Sequence, residues 1–192
     1  KLFIIICAAY IMSRIFIALT PEQKFNQQII EFKKNLQGLQ LENAIVNWST
    51  NNSHHLTINF IGEMEPEQKE EMFNELNNFN LIGNILNLEI IGISYFPNDN
   101  GQVVVANIGL NSQLQKLFDQ VENIVAKIGV GISLKSFKPH ITLARFKDKA
   151  RPFKSLLQLE EPIQISFKTL DVYNSEFYLG RTKHKLIRTY DL

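Results

Sequence analysis

Four side chains in this sequence repeat one small pattern. His55 and Thr57 stand in "HLTINFIG", and His140 and Thr142 stand in "FKPHITLAR", each histidine two residues before its threonine. Residues two apart on a β-strand share a face, so each pair presents an imidazole beside a hydroxyl. Leu56 and Ile141, between them, turn into an apolar layer on the other side. Imidazole titrates at about pH 6.5, so one of two facing histidines can be neutral while the other is protonated. The neutral ring takes a proton from water or a hydroxyl, and the charged ring protonates a leaving oxygen, each worth ~10²–10⁴-fold. Phosphodiester hydrolysis needs such a pair on opposite sides of phosphorus, because attacking and leaving oxygens lie in line. The threonine hydroxyls, with Arg145, would hold the non-bridging oxygens. Arg145 sits at odd spacing from His140, so only a twist, a bulge or a strand end brings it to the same face.

A histidine alone in a strand is most often a packed or surface residue, and threonine is a good strand former. Two copies in separate halves of the chain favour chemistry. A metal site is the main competitor, since histidine is a common ligand. No His-x-x-x-His helix pattern or carboxylate cluster accompanies either histidine, so neither a metal nor another cofactor is expected. His54 would face away from His55 and reads as structural or exposed. His184, in the basic hairpin "RTKHK", reads as solvated.

The elements that must position these residues can be drawn from spacing. Arg14–Leu19 is rich in strand formers and reads as a buried strand. Thr20 then caps a helix that starts at Pro21 and runs to about Gln37, with Phe25, Ile29, Phe32 and Leu36 on one side. Ile45–Trp48 is a short strand, and His55–Ile61 is a strand ending at Gly62. Glu65-Pro66 opens a second helix that buries Met72, Leu76 and Phe79. Leu86–Phe96 and Gln102–Ile108 form a hairpin about "PNDNG". Ser112 caps a third helix whose stripe of Leu114, Leu117, Val121, Ile124, Val125 and Ile128 ends near Gly129. Strands follow at His140–Phe146, Ile163–Val172 and Lys185–Tyr190. Each half thus offers strands, a helix and one His-x-Thr strand. The expected architecture is α+β, with two pseudo-symmetric lobes, each an antiparallel sheet with helices, flanking a central cleft.

At 192 residues, 45% hydrophobic and 20% charged, the chain suits one folded domain of two lobes. The net charge of +1 excludes a surface coated in basic residues for non-specific nucleic-acid binding. Any polyanion site must be local. A local run exists: Lys135, Lys138, Arg145, Lys147, Lys149, Arg151 and Lys154 stand against Asp148 alone around the second motif. It reads equally as a solvated loop or as a phosphate-guiding patch. Cys7 is the only cysteine, which excludes an intrachain disulfide and a cysteine-rich zinc site, and is compatible with the cytoplasm. The apolar run Leu2–Met12 is well short of the ~20 residues that span a membrane. It reads either as part of a signal peptide within residues 1–12 or, preferably, as sequence preceding a start at Met12. "MSRIFIAL" makes a complete first strand, so residues 12–192 are taken as one bilobal domain and residues 1–11 as an extension outside the core.

The paired "HLTI" and "HITLAR" resemble the signature of the two-histidine phosphoesterase superfamily. With "RIFIAL", Trp48, "HLTINFIGE" and "FKPHITLAR", the chain from Met12 is similar to the RNA 2′,3′-cyclic phosphodiesterases, also called 2′-5′ RNA ligases. The approach "NWSTNNSHH" lacks the proline usual there. The resemblance implies hydrolysis of a terminal 2′,3′-cyclic phosphate to a 2′-phosphomonoester without a metal. By position, His55 would be the proton donor to the departing 3′ oxygen and His140 the acceptor that activates water. Thr57, Thr142 and Arg145 would bind the phosphate, and Phe60 matches a position where an aromatic packs against the base. From sequence alone, Phe60 is as readily a core phenylalanine. The implied partners are RNA 3′ ends or nucleoside 2′,3′-cyclic phosphates, for a cytoplasmic monomer without stable membrane association. Two alternatives stay open: an RNA- or nucleotide-binding module without turnover, and a reversible 2′-5′ RNA ligase using the same site.

Overall fold

The strand β1 (Arg14–Pro21) is buried on both faces, which explains why its sequence alternates poorly. Ile15, Ile17 and Leu19 join the main apolar core, while Phe16 and Ala18 are buried on the opposite face. A computed structural model describes residues 14–23, 27–31, 34, 46–50, 52–78, 85–98, 101–130, 136–146, 157–178 and 181–192. Thr20 and Pro21 belong to β1 rather than to a helix start. The Thr20 hydroxyl bonds the Tyr173 hydroxyl at 2.8 Å instead of capping. Residues 27–31 are helical, with Ile29 buried. Phe25, Phe32, Leu36 and the expected helix end lie outside the described residues, as does the apolar N-terminal run.

Further strands are β2 (Val46–Trp48), β3 (Leu56–Glu63), β4 (Leu86–Phe96), β5 (Val103–Ile108), β6 (His140–Phe146), β7 (Leu157–Tyr178) and β8 (Arg181–Asp191). The last two expected strands are longer at both ends than anticipated. Ile163–Val172 is the middle of the 22-residue β7, and "RTKHK" is strand rather than turn. β3 also passes through Gly62 to Glu63. Gly62 takes φ +89° there, beside a register shift that leaves Ile61 without a partner on β1.

All pairings are antiparallel, and they make an α+β fold of two lobes. One lobe runs β3-β1-β7-β8, the other β2-β6-β5-β4-β7. β7 serves both: Leu157 to Phe167 pair with β4, and Phe167 to Ser175 pair with β1. The lobes meet again where β3 touches β6, at the single register pair Leu56↔Ile141.

Two helices complete the described layers. The helix α1 (Pro66–Asn77) starts with proline at N1, and the Glu65 backbone N–H donates to Gln68 Oε1 at 3.1 Å. It buries Met72, Phe73 and Leu76; Phe79 lies outside the described residues. The helix α2 (Ser112–Lys127) is capped by Asn111, not Ser112: the Leu114 N–H donates to Asn111 Oδ1 at 2.8 Å. Its C-terminus closes with Gly129 at φ +73°, where Gly129 N–H reaches the Ala126 carbonyl and Val130 N–H the Val125 carbonyl. That is a Schellman closure. The whole expected stripe of α2 is buried. α2 packs over β3, where Asn59 Nδ2 donates to Glu122 Oε1. Among the described residues, no helix is long and apolar enough to cross a membrane.

Candidate active site

Leu56 and Ile141 are fully buried partners, so the two His-x-Thr segments are centred on one another across the lobe junction. Antiparallel pairing places His55 towards the Thr142 end and Thr57 towards the His140 end. Each half therefore lends an imidazole and a hydroxyl to one place, related by an approximate twofold. Those four residues are half-buried, while the core-facing residues between them are wholly covered. Burying Leu56 and Ile141 is worth about 1.5–3 kcal/mol each, and the same packing holds the catalytic candidates in register.

The two histidines are anchored alike. His55 Nδ1 donates to the Ser53 carbonyl at 2.8 Å, and His140 Nδ1 donates to the Lys138 carbonyl at 2.6 Å. A carbonyl only accepts, so both rings carry hydrogen on Nδ1, and Nε2 is the atom left for a reactant. The segments before each ring are themselves fixed. Ser53 N–H donates to the Thr50 carbonyl at 3.0 Å, and Ile108 N–H to the Pro139 carbonyl at 3.0 Å.

Both imidazoles titrate below the ordinary value of 6.5, chiefly because burial disfavours the charged form. The backbone hydrogen bonds oppose this shift, and the positive charge of Arg145 adds to it at both rings. For His55, a protonated His140 contributes in the same direction. The register of β6 against β5 answers the parity problem. Along the β5–β6 pairing, Val104 opposes Ala144 and Val105 opposes Thr142, so Leu143 is an extra residue. This bulge reverses the alternation and turns the exposed Arg145 to the side of His140 and Thr142.

The same device occurs in β3. Ile17 opposes Asn59 and Ala18 opposes Thr57, leaving Ile58 as the extra residue. Phe60 thereby shares the face of Thr57 and His55. It is 59% exposed and stacks on Phe16 at 6.3 Å between centroids, so the core alternative for Phe60 does not hold.

Among the described residues, four more reach the site without a signal in the sequence. Phe16, 2% exposed, lies 5.2 Å from the His55 ring, and Phe96 from β4 stacks on His140 at 4.1 Å. Tyr173 from β7 stacks under Phe16 at 5.1 Å, with its hydroxyl between Thr20 and Asp171. His184 corrects the earlier expectation of a solvated side chain. Although exposed as a residue, its ring packs 4.8 Å from Phe16 and 5.4 Å from His55. His54 is 3% exposed, in keeping with a structural role rather than an exposed one. Of the basic run, Lys138 and Arg145 are exposed, and Lys135, Lys147, Lys149, Arg151 and Lys154 lie outside the described residues. Among the described residues, no three His, Cys, Asp or Glu side chains converge to hold a metal ion.

Two antiparallel lobes that each contribute a histidine and a threonine to a shared junction define the class of two-histidine phosphoesterases. The family model of the AKAP7 2′5′ RNA ligase-like domain matches residues 15–187, and the chain belongs to that family. An RNA 2′,3′-cyclic phosphodiesterase of Aeropyrum pernix is 32% identical over 107 residues, which span 55% of this chain and 59% of that protein. The protein of the same name from Methanocaldococcus jannaschii is 22% identical over 169 residues, 86% of this chain and 90% of its own. Among solved structures, E. coli LigT in complex with 3′-AMP superposes with a TM-score of 0.75 at 20% identity, covering 94% of this chain and 98% of LigT.

Proposed function

We propose that the protein hydrolyses the terminal 2′,3′-cyclic phosphate of RNA to a 2′-phosphomonoester, by acid–base catalysis without a metal. One observation carries the reading: two imidazoles, each with Nδ1 tied to the backbone, flank the Leu56–Ile141 pair where the lobes meet, which supports a role for both Nε2 atoms on one phosphorus. Water attacks phosphorus as His140 Nε2 takes its proton, the P–O3′ bond breaks, and His55 Nε2 gives its proton to the 3′ oxygen. The product is a 2′-phosphate with a free 3′ hydroxyl. The histidines then exchange protons with solvent to regain their starting states. Thr57, Thr142 and Arg145 neutralise the charge that grows on the non-bridging oxygens. Phe60 offers an exposed ring for the terminal base.

The names of the two archaeal relatives support the substrate, and the direction of proton transfer rests on the resemblance of the motifs. We assign the activity to residues 12–192, acting as a monomer in the cytoplasm. The test is a nucleoside 2′,3′-cyclic phosphate offered in the presence of EDTA, with the product identified. The expected product is the 2′-monophosphate alone. Loss of turnover on chelation would overturn the metal-free mechanism. A 3′-monophosphate would reverse the roles of the two histidines, and no turnover of any cyclic phosphate would overturn the reading.

A further inference from the structure

The C-terminal strand brings a third imidazole to one side of the site. His184 opposes Ser175 in the β7–β8 ladder, and its ring stands edge-on to two others. It lies 4.8 Å from Phe16 at 78° and 5.4 Å from His55 at 80°. Phe16 meets His55 at 5.2 Å, so the three rings touch mutually. His55 is thus fixed at Nδ1 by the Ser53 carbonyl and flanked by Phe16 and His184, with Nε2 left for substrate.

We propose that His184 is a positioning residue for His55, its edge-on ring setting the plane of the His55 imidazole and holding water off that flank. This rests on the reading of His55 as the proton donor. Burial, followed by the charges of His55 and Arg145, lowers His184 to about 4, so it is uncharged at neutral pH and adds no charge beside the donor. Among the described residues, the titratable groups facing this cluster are His140 and Arg145 from β6, and Tyr173 with the buried Asp171 from β7. β1 contributes the uncharged Phe16, and Lys183 and Lys185 alternate to the opposite face of β8.

The experiment is an NMR titration of the His55 imidazole in the free protein, paired with the pH dependence of cyclic-phosphate turnover. In His184→Ala, water replaces the ring, so the His55 pKa should rise by about half a unit or more. The limb of kcat/KM that His55 sets should move up with it, and kcat should fall about tenfold as the ring plane loosens. His184→Phe retains an uncharged aromatic edge, and should return the His55 titration to its starting value and restore most of the lost turnover. An unmoved His55 titration in His184→Ala would overturn the proposal, even if activity fell. A phenylalanine variant behaving like alanine would also overturn it, since hydrogen bonding rather than packing would then be at work. Should the alanine variant not fold, His184→Gln takes its place, with the same shift expected and the same result overturning. The titration needs no turnover. A shifted His55 in a protein inactive on cyclic phosphates would show that His184 packs on and dries His55 as inferred, and would overturn the proposed function that makes His55 a donor.

Discussion

The two half-sites are built alike up to the threonine and differ beyond it. In both, histidine Nδ1 is held by the carbonyl two residues earlier, and the next residue plugs into the core. In both, one extra residue after the threonine reverses the alternation, so the residue three beyond the threonine faces the site. In β3 that residue is Phe60; in β6 it is Arg145. The shared part is what the proposed in-line reaction would require, one Nε2 on either side of phosphorus. The unshared part gives the site a direction, with an aromatic plane at one end and a permanent cation at the other. The supports differ as well. His55 leans on Phe16 and His184, whereas His140 is covered by Phe96.

The strongest test of the shared part is removal of either imidazole. His55→Ala and His140→Ala should each lower kcat for a nucleoside 2′,3′-cyclic phosphate by about 10²–10⁴-fold. The double variant should be little worse than either, because the two act as a unit. Wild-type turnover in one single variant would break the equivalence and remove that residue from the mechanism. Next come the hydroxyls. Thr57→Val and Thr142→Val keep strand shape and delete one donor each, and should cost ~10²-fold in kcat if the hydroxyls stabilise the transition state. A change confined to KM would reduce them to ground-state contacts.

The unshared part should yield smaller and different effects. Phe60→Ala removes a stacking plane worth about 1–3 kcal/mol, so KM should rise roughly 5- to 150-fold with kcat preserved. Purine substrates should suffer more than pyrimidines. An equal loss in kcat would mean that Phe60 supports Phe16 and the His55 ring rather than the base.

Much of this construction was legible in the sequence and some could not have been. The His-x-Thr repeats marked the two segments that meet at the lobe junction, and β4 and β6 fall on the residues their apolar patterns indicated. Strand parity, applied strictly, put Arg145 on the wrong face. Ile58 and Leu143 are ordinary strand residues, and only pairing with β1 and β5 makes them bulges. Phe16, Phe96, Tyr173 and His184 look like any aromatic in a strand. They become neighbours of the site because β1, β4, β7 and β8 assemble around it, a tertiary outcome with no local mark. The capping errors are of a smaller kind. Asn111 and Ser112 are both good caps in succession, and Thr20 lost its local role to the distant Tyr173 hydroxyl.

The finest distinction between the half-sites is electrostatic, and pH dependence reads it. The proposed mechanism needs His55 protonated and His140 neutral together, so kcat/KM falls on the acid side where both rings are protonated and on the basic side where both are neutral. Burial lowers both, with Arg145 adding to the shift, so the bell of kcat/KM should centre on the acid side of 6.5. Arg145→Gln removes one lowering influence common to both rings, and both limbs should move up by a few tenths of a unit. Phe60→Ala carries no charge change and should move neither. Substrate itself bears a negative charge, which favours the imidazolium, so the basic limb of kcat should lie above that of kcat/KM. A bell for kcat/KM centred above pH 7 would show that the two rings are not held in the dry positions that the Leu56–Ile141 pairing gives them.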